Sequence, residues 1–303
     1  MTLANSLRDH VRACCSGIWI QSHEHEDAVA DISRICGEEQ WHLATWDIER
    51  GLAVSGHTTA ASAAATDPLA AIRIVNSLAT PDGVALLVLT NFHRFLNSAE
   101  VIQAMVRQVT DGKRNRTFLI VLSPLVQLPL ELEKLFVVLE HELPDREQIE
   151  QIARGIATEE GELPDGDQLQ RVLDSAVGLT RYEVEFALSL SLVQHGRLLP
   201  EVLWKTKAQM LKKSGLLSLH QGGESLDGLG GMEALKSFCR RALRPTRQGS
   251  AGPKPRGVLL LGVPGTGKSA FAKGLGHAVG RPTLIMDVGA MMGSLVGETE
   301  CAV

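Results

Sequence analysis

The sequence predicts an α/β fold: a parallel sheet with helices on both faces, then a helical domain, then the start of a second α/β segment. Three observations point there. Through residues 1–145, short apolar runs alternate with stretches of helical period. From 146 to 215 the strand signals vanish and four helical patterns follow one another. After 257 an apolar run, a glycine-studded loop and a helical pattern return in close succession.

Taken in order, GIWIQ is expected to be a strand. In EDAVADISRIC, Ala28, Ile32 and Ile35 recur on one helical face, and WHLATWD alternates as a strand does. GLAVSGHTTAASAAATDP, rich in Gly, Ala, Ser and Thr, reads as a loop. PLAAIRIVNSLA is helical, and GVALLVL is a short, continuous apolar run of the buried-strand type. SAEVIQAMVRQVTDG opens on Ser98 as a cap and is expected to end at Gly112. RTFLIVLSP is a buried strand stopped by Pro124, and LFVVLEHELPD a last strand ending in a turn. Strands separated by helices imply a parallel sheet covered on both sides.

DREQIEQIARGIA, GDQLQRVLDSAVG, RYEVEFALSLSLVQ and PEVLWKTKAQMLKK read as helices, with Asp145 and Asp167 as caps. SGLLSLHQGGESLDGLGG reads as a linker or extended arm, GMEALKSFCRRAL as a helix, RPTRQGSAGPKPR as a mobile basic loop, and PTLIMDV as a strand. The expected division is 1–145, an α/β domain; 146–215, a helical domain; 216–256, a linker and first helix; and 257–303, the start of a second module.

With 303 residues, 44% of them hydrophobic, the chain can bury more than one core. A formal net charge of −5 gives no global attraction to nucleic acid or anionic membranes. Cys14, Cys15, Cys36, Cys239 and Cys301 show no Cys-x-x-Cys spacing, so they read as reduced thiols of a cytosol-like compartment. Apolar runs such as 84–89 fall far short of the roughly 20 residues that span a bilayer. MTLANSLRDHVRACC lacks the apolar core of a signal peptide, so a cytoplasmic location without membrane anchorage is expected.

The chemistry is concentrated in Gly262-Val263-Pro264-Gly265-Thr266-Gly267-Lys268-Ser269, which fits G-x-x-x-x-G-K-[ST]. Glycines let a loop wrap tightly and turn backbone N–H groups toward an anion. A helix opening at Lys268 aims its positive end at phosphates. Lys268 supplies a compact charge for the β- and γ-phosphates, and Ser269 a hydroxyl for Mg²⁺. The motif follows GVLLL, read as a strand, and opens SAFAKGLGHAVG, read as a helix, the context it requires. The candidate ligands are ATP and Mg²⁺, and the candidate set extends to Ala270 in the first helical turn.

SLDGLGGMEALKSFCRRA, then GVLLLGVPGTGKSAFAKGLGHAVG, then SLVGETE resemble the start of an AAA-type ATPase module. The resemblance implies a P-loop NTPase fold of the AAA+ kind, ATP hydrolysis spent on remodelling or assembling a macromolecular partner, and a homo-oligomeric ring. A Gly-Gly segment borders the adenine in such modules, and Gly230 and Gly231 match it. Pro264 keeps the second proline of the family's loop, while Val263 replaces the first. SLVGE matches the loop facing the ring's pore, with Leu295 where an aromatic grips substrate.

The front part resembles a degenerate AAA+ module. VALLVLTNFHRFL falls where the family has a strand ending in Asp-Glu, but the position reads Asn91-Phe92. RTFLIVLSP matches the next strand, LPLELEKLFVVLEHELPDREQIEQIA the passage into a helical lid, and AVGLTRYEVEFALS a lid helix start. The first loop, IQSHEHEDAVADI, has no glycine and no Gly-Lys-Ser, and Glu24, Glu26 and Asp27 would repel phosphate. This half is expected to bind no ATP. The whole chain resembles an AAA ATPase family of cyanobacteria, other bacteria and algal chloroplast genomes with a similar inactive front half, which would place an algal member in the stroma.

After Ser269 no apolar run ends in Asp-Glu; Asp287 follows TLIM but belongs to the second strand and lacks the Glu. The family's sensor residues and arginine finger are missing too, so the second P-loop module is expected to be truncated and no catalytic residue is assigned. A nucleotide-responsive interaction module that binds without hydrolysing is therefore an alternative. A DNA-associated AAA+ protein is another, through Lys236, Arg240, Arg241, Arg244, Arg247, Lys254 and Arg256, a cluster that reads first as a solvated helix face plus linker. His23 and His25 read first as part of a solvated turn and second as metal ligands, and His93 first as packing and second as a catalytic group. Met286, Met291 and Met292 are expected to fill packing gaps, and Glu183 and Glu185 to be surface charges.

Overall fold

The computed structural model describes residues 3–54, 66–78, 83–213, 217–220, 225–243, 257–279 and 283–286. The chain forms two compact units, one of residues 1–148 with 178–183, the other of 149–177 with 184–303.

The first unit is built on a sheet of β1 (Gly17–Gln21), β2 (His42–Asp47), β3 (Gly51–Val54), β4 (Ala85–Thr90), β5 (Thr117–Ser123) and β6 (Phe136–Glu140). Their order is β3-β2-β4-β5-β1-β6, parallel throughout except for the antiparallel β2–β3 pair at one edge. That pair corrects the loop expected at GLAV. Asp47 Oδ1 accepts the amides of Glu49 and Arg50 at 2.9 and 2.6 Å, which closes a turn onto Gly51 at φ 71°. The chain must then return beside β2, and Leu52 pairs with Trp46 in the core. The rest of that Gly-Ala-Ser-Thr stretch, 55–65, lies outside the described residues.

Alternation along each strand sends side chains to two faces. Trp19, Trp46, Leu87, Leu89 and Leu119 pack on one side against α3 (Pro68–Leu78) and α4 (Ala99–Asn115). Ile18, Ile20, Leu86, Val88 and Ile120 pack on the other against α1 (Leu3–Arg12) and α2 (His25–Glu39). Burying one such side chain contributes about 1.5–3 kcal/mol. A one-residue slip of any inner strand would exchange its two faces, so register is strongly fixed. Ala28, Ile32 and Ile35 are buried on α2 as expected. Helix α1 was not foreseen; it buries Leu3, Leu7 and Val11, one per turn. Helix α4 begins after Ser98, whose side chain makes no capping bond, and runs past Gly112 to Asn115. Gly112 is therefore not a helix stop: a Cβ there would meet Ser16 Cβ at 3.0 Å and crowd the Thr117 carbonyl.

A short α5 (Leu130–Glu133) precedes β6. The four expected helices follow as α6 (Arg146–Ile156), α7 (Gly166–Ala176), α8 (Arg181–His195) and α9 (Pro200–Lys213). Asp145 caps α6 as expected, in a reciprocal box with Gln148, each amide donating to the other's side chain at 2.9 Å. Asp167 does not cap α7; Asp165 holds that position and Asp167 lies in the first turn. Within the expected linker, β7 (Leu217–His220) pairs antiparallel with β8 (Thr283–Met286). Helices α10 (Glu233–Ala242) and α11 (Lys268–Ala278) complete the second unit. Residues 257–261, expected as a strand, lie in no ladder among the described residues, and Leu259 and Leu261 are 83% and 85% exposed. An apolar run becomes a strand only beside a neighbour that satisfies its amides, and no described strand lies there. Met286 is exposed rather than filling a gap.

Candidate functional site

Gly265 and Gly267 adopt φ of 85° and 81°, where L side chains are strained. A Cβ at Gly262 would stand 3.2 Å from Thr266 Oγ1, so the loop closes tightly on itself. Thr266 Oγ1 donates to the Val263 carbonyl at 2.9 Å. Gly267 is the N-cap of α11 and brings no side chain to the cap, so the amides of Lys268, Ser269 and Ala270 open the helix without helical acceptors. Lys268 Nζ folds back on the loop and donates to the carbonyls of Gly262 and Val263 at 2.7 and 2.8 Å. Pro264 and Ser269 are exposed. Free first-turn amides, glycines at positive φ, and a cation resting on exchangeable carbonyls suit a polyphosphate.

Gly230 and Gly231 follow a single 3-10 turn, Leu226–Gly228, and Gly231 takes φ 76°. A Cβ built on Gly267 would lie 3.8 Å from Leu229 Cδ2 and 3.9 Å from Met232 Cε. Leu226, Cys239 and Phe271 form the buried cluster that joins this segment, α10 and α11. Two stretches far apart in sequence, 226–232 and 262–270, are thus brought together. Lys236, grouped in the sequence with a solvated basic face, is 5% exposed. Its ammonium donates to the Leu229 carbonyl at 2.5 Å and to Glu233 at 2.8 Å, pinning the Gly-Gly segment. Arg240 lies 3.4 Å from Asp227, while Arg244, Arg247, Lys254, Arg256, Asp287, Met291, Met292 and Leu295 fall outside the described residues.

Family models of SpoVK-like AAA ATPases match residues 3–141, as the N-terminal domain, and 147–214, as the second domain. A model of the ATPase family associated with various cellular activities (AAA) matches 258–303, the segment that holds the loop. The chain belongs to the AAA ATPases. It is similar to the AAA domain-containing protein ycf46 of Trieres chinensis, 28% identical over 242 residues, which is 77% of this chain and 48% of that protein. The ycf46 protein of Guillardia theta is 29% identical over 247 residues, 78% of this chain and 48% of its own length. This AAA ATPase chain thus spans about half the length of those relatives. Among solved structures, C. elegans PCH-2 is 9% identical with a TM-score of 0.44, covering 70% of this chain and 69% of that one.

The front unit of the AAA ATPase offers a different site. Strands β1 and β4 flank β5, so the crevice at their carboxyl ends is where α/β sheets bind ligands. A cleft of about 250 Å³ opens at the ends of β1 and β6, with Ser22, Glu24, Glu140, His141 and Thr180 in its wall. The Ser22 hydroxyl hydrogen-bonds His141 Nδ1 at 2.8 Å, and His141 Nε2 lies 3.6 Å from Asp31. The Glu24 amide donates to Ser22 Oγ at 3.0 Å, so this amide is satisfied within the turn itself. Glu24 and Asp27 instead face the start of α8: Glu24 Oε1 accepts the Tyr182 amide at 3.0 Å, and Asp27 is 3.7 Å from Arg181. Phe92, at the Asp-Glu position, is fully buried against Trp46, and Asn91 takes φ 55°.

His93 is 6% exposed and neither ring nitrogen has a hydrogen-bond partner. Burial, then Arg94, pushes its pKa below the ordinary 6.5. Burial, then His23 and His93, does the same to His25. No three His, Cys, Asp or Glu side chains stand together as metal ligands among the described residues. Glu183 is more than a surface charge: it accepts the Thr180 amide at 2.9 Å and its own amide donates to Thr180 Oγ1 at 3.2 Å. The sequence offered no sign of Ser22, His141 or Tyr182 as site residues, because each contact joins positions more than a hundred residues apart.

Proposed function

We propose that this AAA ATPase binds ATP with Mg²⁺ through residues 262–270 and, within a homo-oligomeric assembly, helps remodel or assemble a macromolecular partner. The observation that carries this is the tight glycine loop capping α11, with Lys268 resting on two carbonyls of the loop itself. Phosphate oxygens would take the place of those carbonyls, the amides of 266–270 would hold the β- and γ-phosphates, and the Ser269 hydroxyl would face Mg²⁺. Gly230 and Gly231 would border the adenine. The front unit is read as a nucleotide-free platform, and the working domain plan as 1–145, 146–215, 216–256 and 257–303, with 146–215 as a lid. No helix among the described residues is long and apolar enough to cross a membrane. The proposed place of action is the cytoplasm, or the stroma for an algal chain.

Calorimetry of the whole chain with Mg-ATP tests the proposal. Binding is expected, weakened about 10–150-fold by Lys268→Ala, the equivalent of about 1.5–3 kcal/mol for one charged hydrogen bond. No heat from the wild type, or equal heat from the variant, would overturn it. Phosphate release on the same sample separates an ATPase from a nucleotide-responsive module that does not hydrolyse.

A further inference from the structure

Where Gly262–Ser269 lead into α11 in the second unit, Ser22-His23-Glu24-His25-Glu26-Asp27 lead from β1 into the first turn of α2 in the first. Two carboxylates of that turn engage one target. Glu24 Oε1 accepts the Tyr182 amide, one of the first-turn amides of α8 that has no helical acceptor. Asp27 lies 3.7 Å from the Arg181 guanidinium on the same turn. The Glu183 amide of α8 is met by Thr180 Oγ1, and the Thr180 amide just ahead of the helix by the Glu183 carboxylate. From the opposite side the turn is pinned by Ser22, hydrogen-bonded to His141 beyond β6, with Asp31 of α2 behind it. A carboxylate therefore sits at the positive end of α8, and its owner is the loop that would otherwise face an anion.

We propose that the front unit has replaced a nucleotide with an internal carboxylate latch: Glu24, backed by Asp27, holds residues 180–182 on the front sheet whether or not ATP is present. The latched segment belongs to 178–183, immediately before residue 184, where the chain enters the second unit. Glu24 and Asp27 are thus positioning residues for the start of α8. The inference rests on the front unit being free of nucleotide, and it assigns a use to the acidic turn that excludes phosphate.

The test is hydrogen exchange on the whole chain carrying Lys268→Ala, so that any nucleotide response must come from the front unit. The Tyr182 amide is expected to be protected, with no change on adding Mg-ATP. Glu24→Ala should speed exchange at 180–183 by tenfold or more while β1 and β5 stay protected. Glu24→Gln, which keeps an acceptor oxygen, should give a smaller rise, and Asp27→Asn a smaller one again. If Glu24→Ala loses β5 protection and is unfolded, the graded pair Glu24→Gln and Asp27→Asn decides. Unchanged exchange at Tyr182 across the folded variants would overturn the latch, as would protection of 22–27 by Mg-ATP. Failure of the wild type to bind ATP at 262–270 would sink the functional proposal and leave these exchange rates untouched.

Discussion

Gly112→Ala is expected to destabilise the first unit even though it improves helix propensity. Gly112 lies on α4 where that helix crosses β5. A methyl group there would collide with the Thr117 carbonyl oxygen, stand 3.0 Å from Ser16 Cβ and 3.3 Å from Thr117 Oγ1. None of the three gives way easily. The carbonyl is main chain, Ser16 is held by its hydroxyl's 2.5 Å bond to the Val109 carbonyl, and Thr117 Oγ1 accepts from Gln108. Overpacking of this kind costs about 1–3 kcal/mol, and a backbone obstacle favours the upper end. Replacing Gly by Ala in a helix returns about 0.5–1 kcal/mol. The net loss is about 1–2 kcal/mol. Gly37→Ala supplies the control. It makes the same change on α2 of the same unit, and a Cβ at Gly37 meets nothing within 4 Å. It should stabilise by about 0.5–1 kcal/mol. The altered unfolded chain is common to both variants, so their difference, about 2 kcal/mol or more, isolates the crossing. Urea denaturation followed by circular dichroism measures both. Gly112→Ala unfolding together with Gly37→Ala would mean that α4 and β5 have slack at this point, and the reasoning would fail.

Two further outcomes follow from the structure. The folded pKa of His93 lies below its unfolded 6.5, so the unfolded state binds more protons below that pH and stability must fall as pH drops through 6.5. His93→Phe should shrink that slope without abolishing it, because His25 shifts in the same direction; identical pH profiles for variant and wild type would contradict the burial of the ring. Asp145→Ala removes one half of the box with Gln148 and should cost about 1 kcal/mol in thermal denaturation, with ATP affinity unchanged; a neutral result would show that the cap is dispensable.

What was legible in the sequence was what depends on near neighbours. Ile18 and Ile20 alternate with Trp19 because a strand has two faces, and Ala28, Ile32 and Ile35 recur because a helix has one stripe. The 262–269 loop was legible for the same reason, since its glycines and Lys268 meet within a single turn. The misreadings occur where a distant partner decides the local outcome. Gly112 looked like a helix stop, yet its missing Cβ makes room for β5. Lys236 looked like part of a solvated face, yet the Leu229 carbonyl draws its ammonium inward. GVLLL has the composition of a strand, but composition supplies no ladder partner, and none of the described strands runs beside it. The acidic turn after β1 combines both cases. Its charges are disclosed by the residue types of 24–27. What those charges hold is a backbone amide 158 positions away, and an amide belongs to no residue type, so no motif can encode it. The acidic character of the turn can therefore be read from one segment, whereas the contact it makes has to be found in three dimensions.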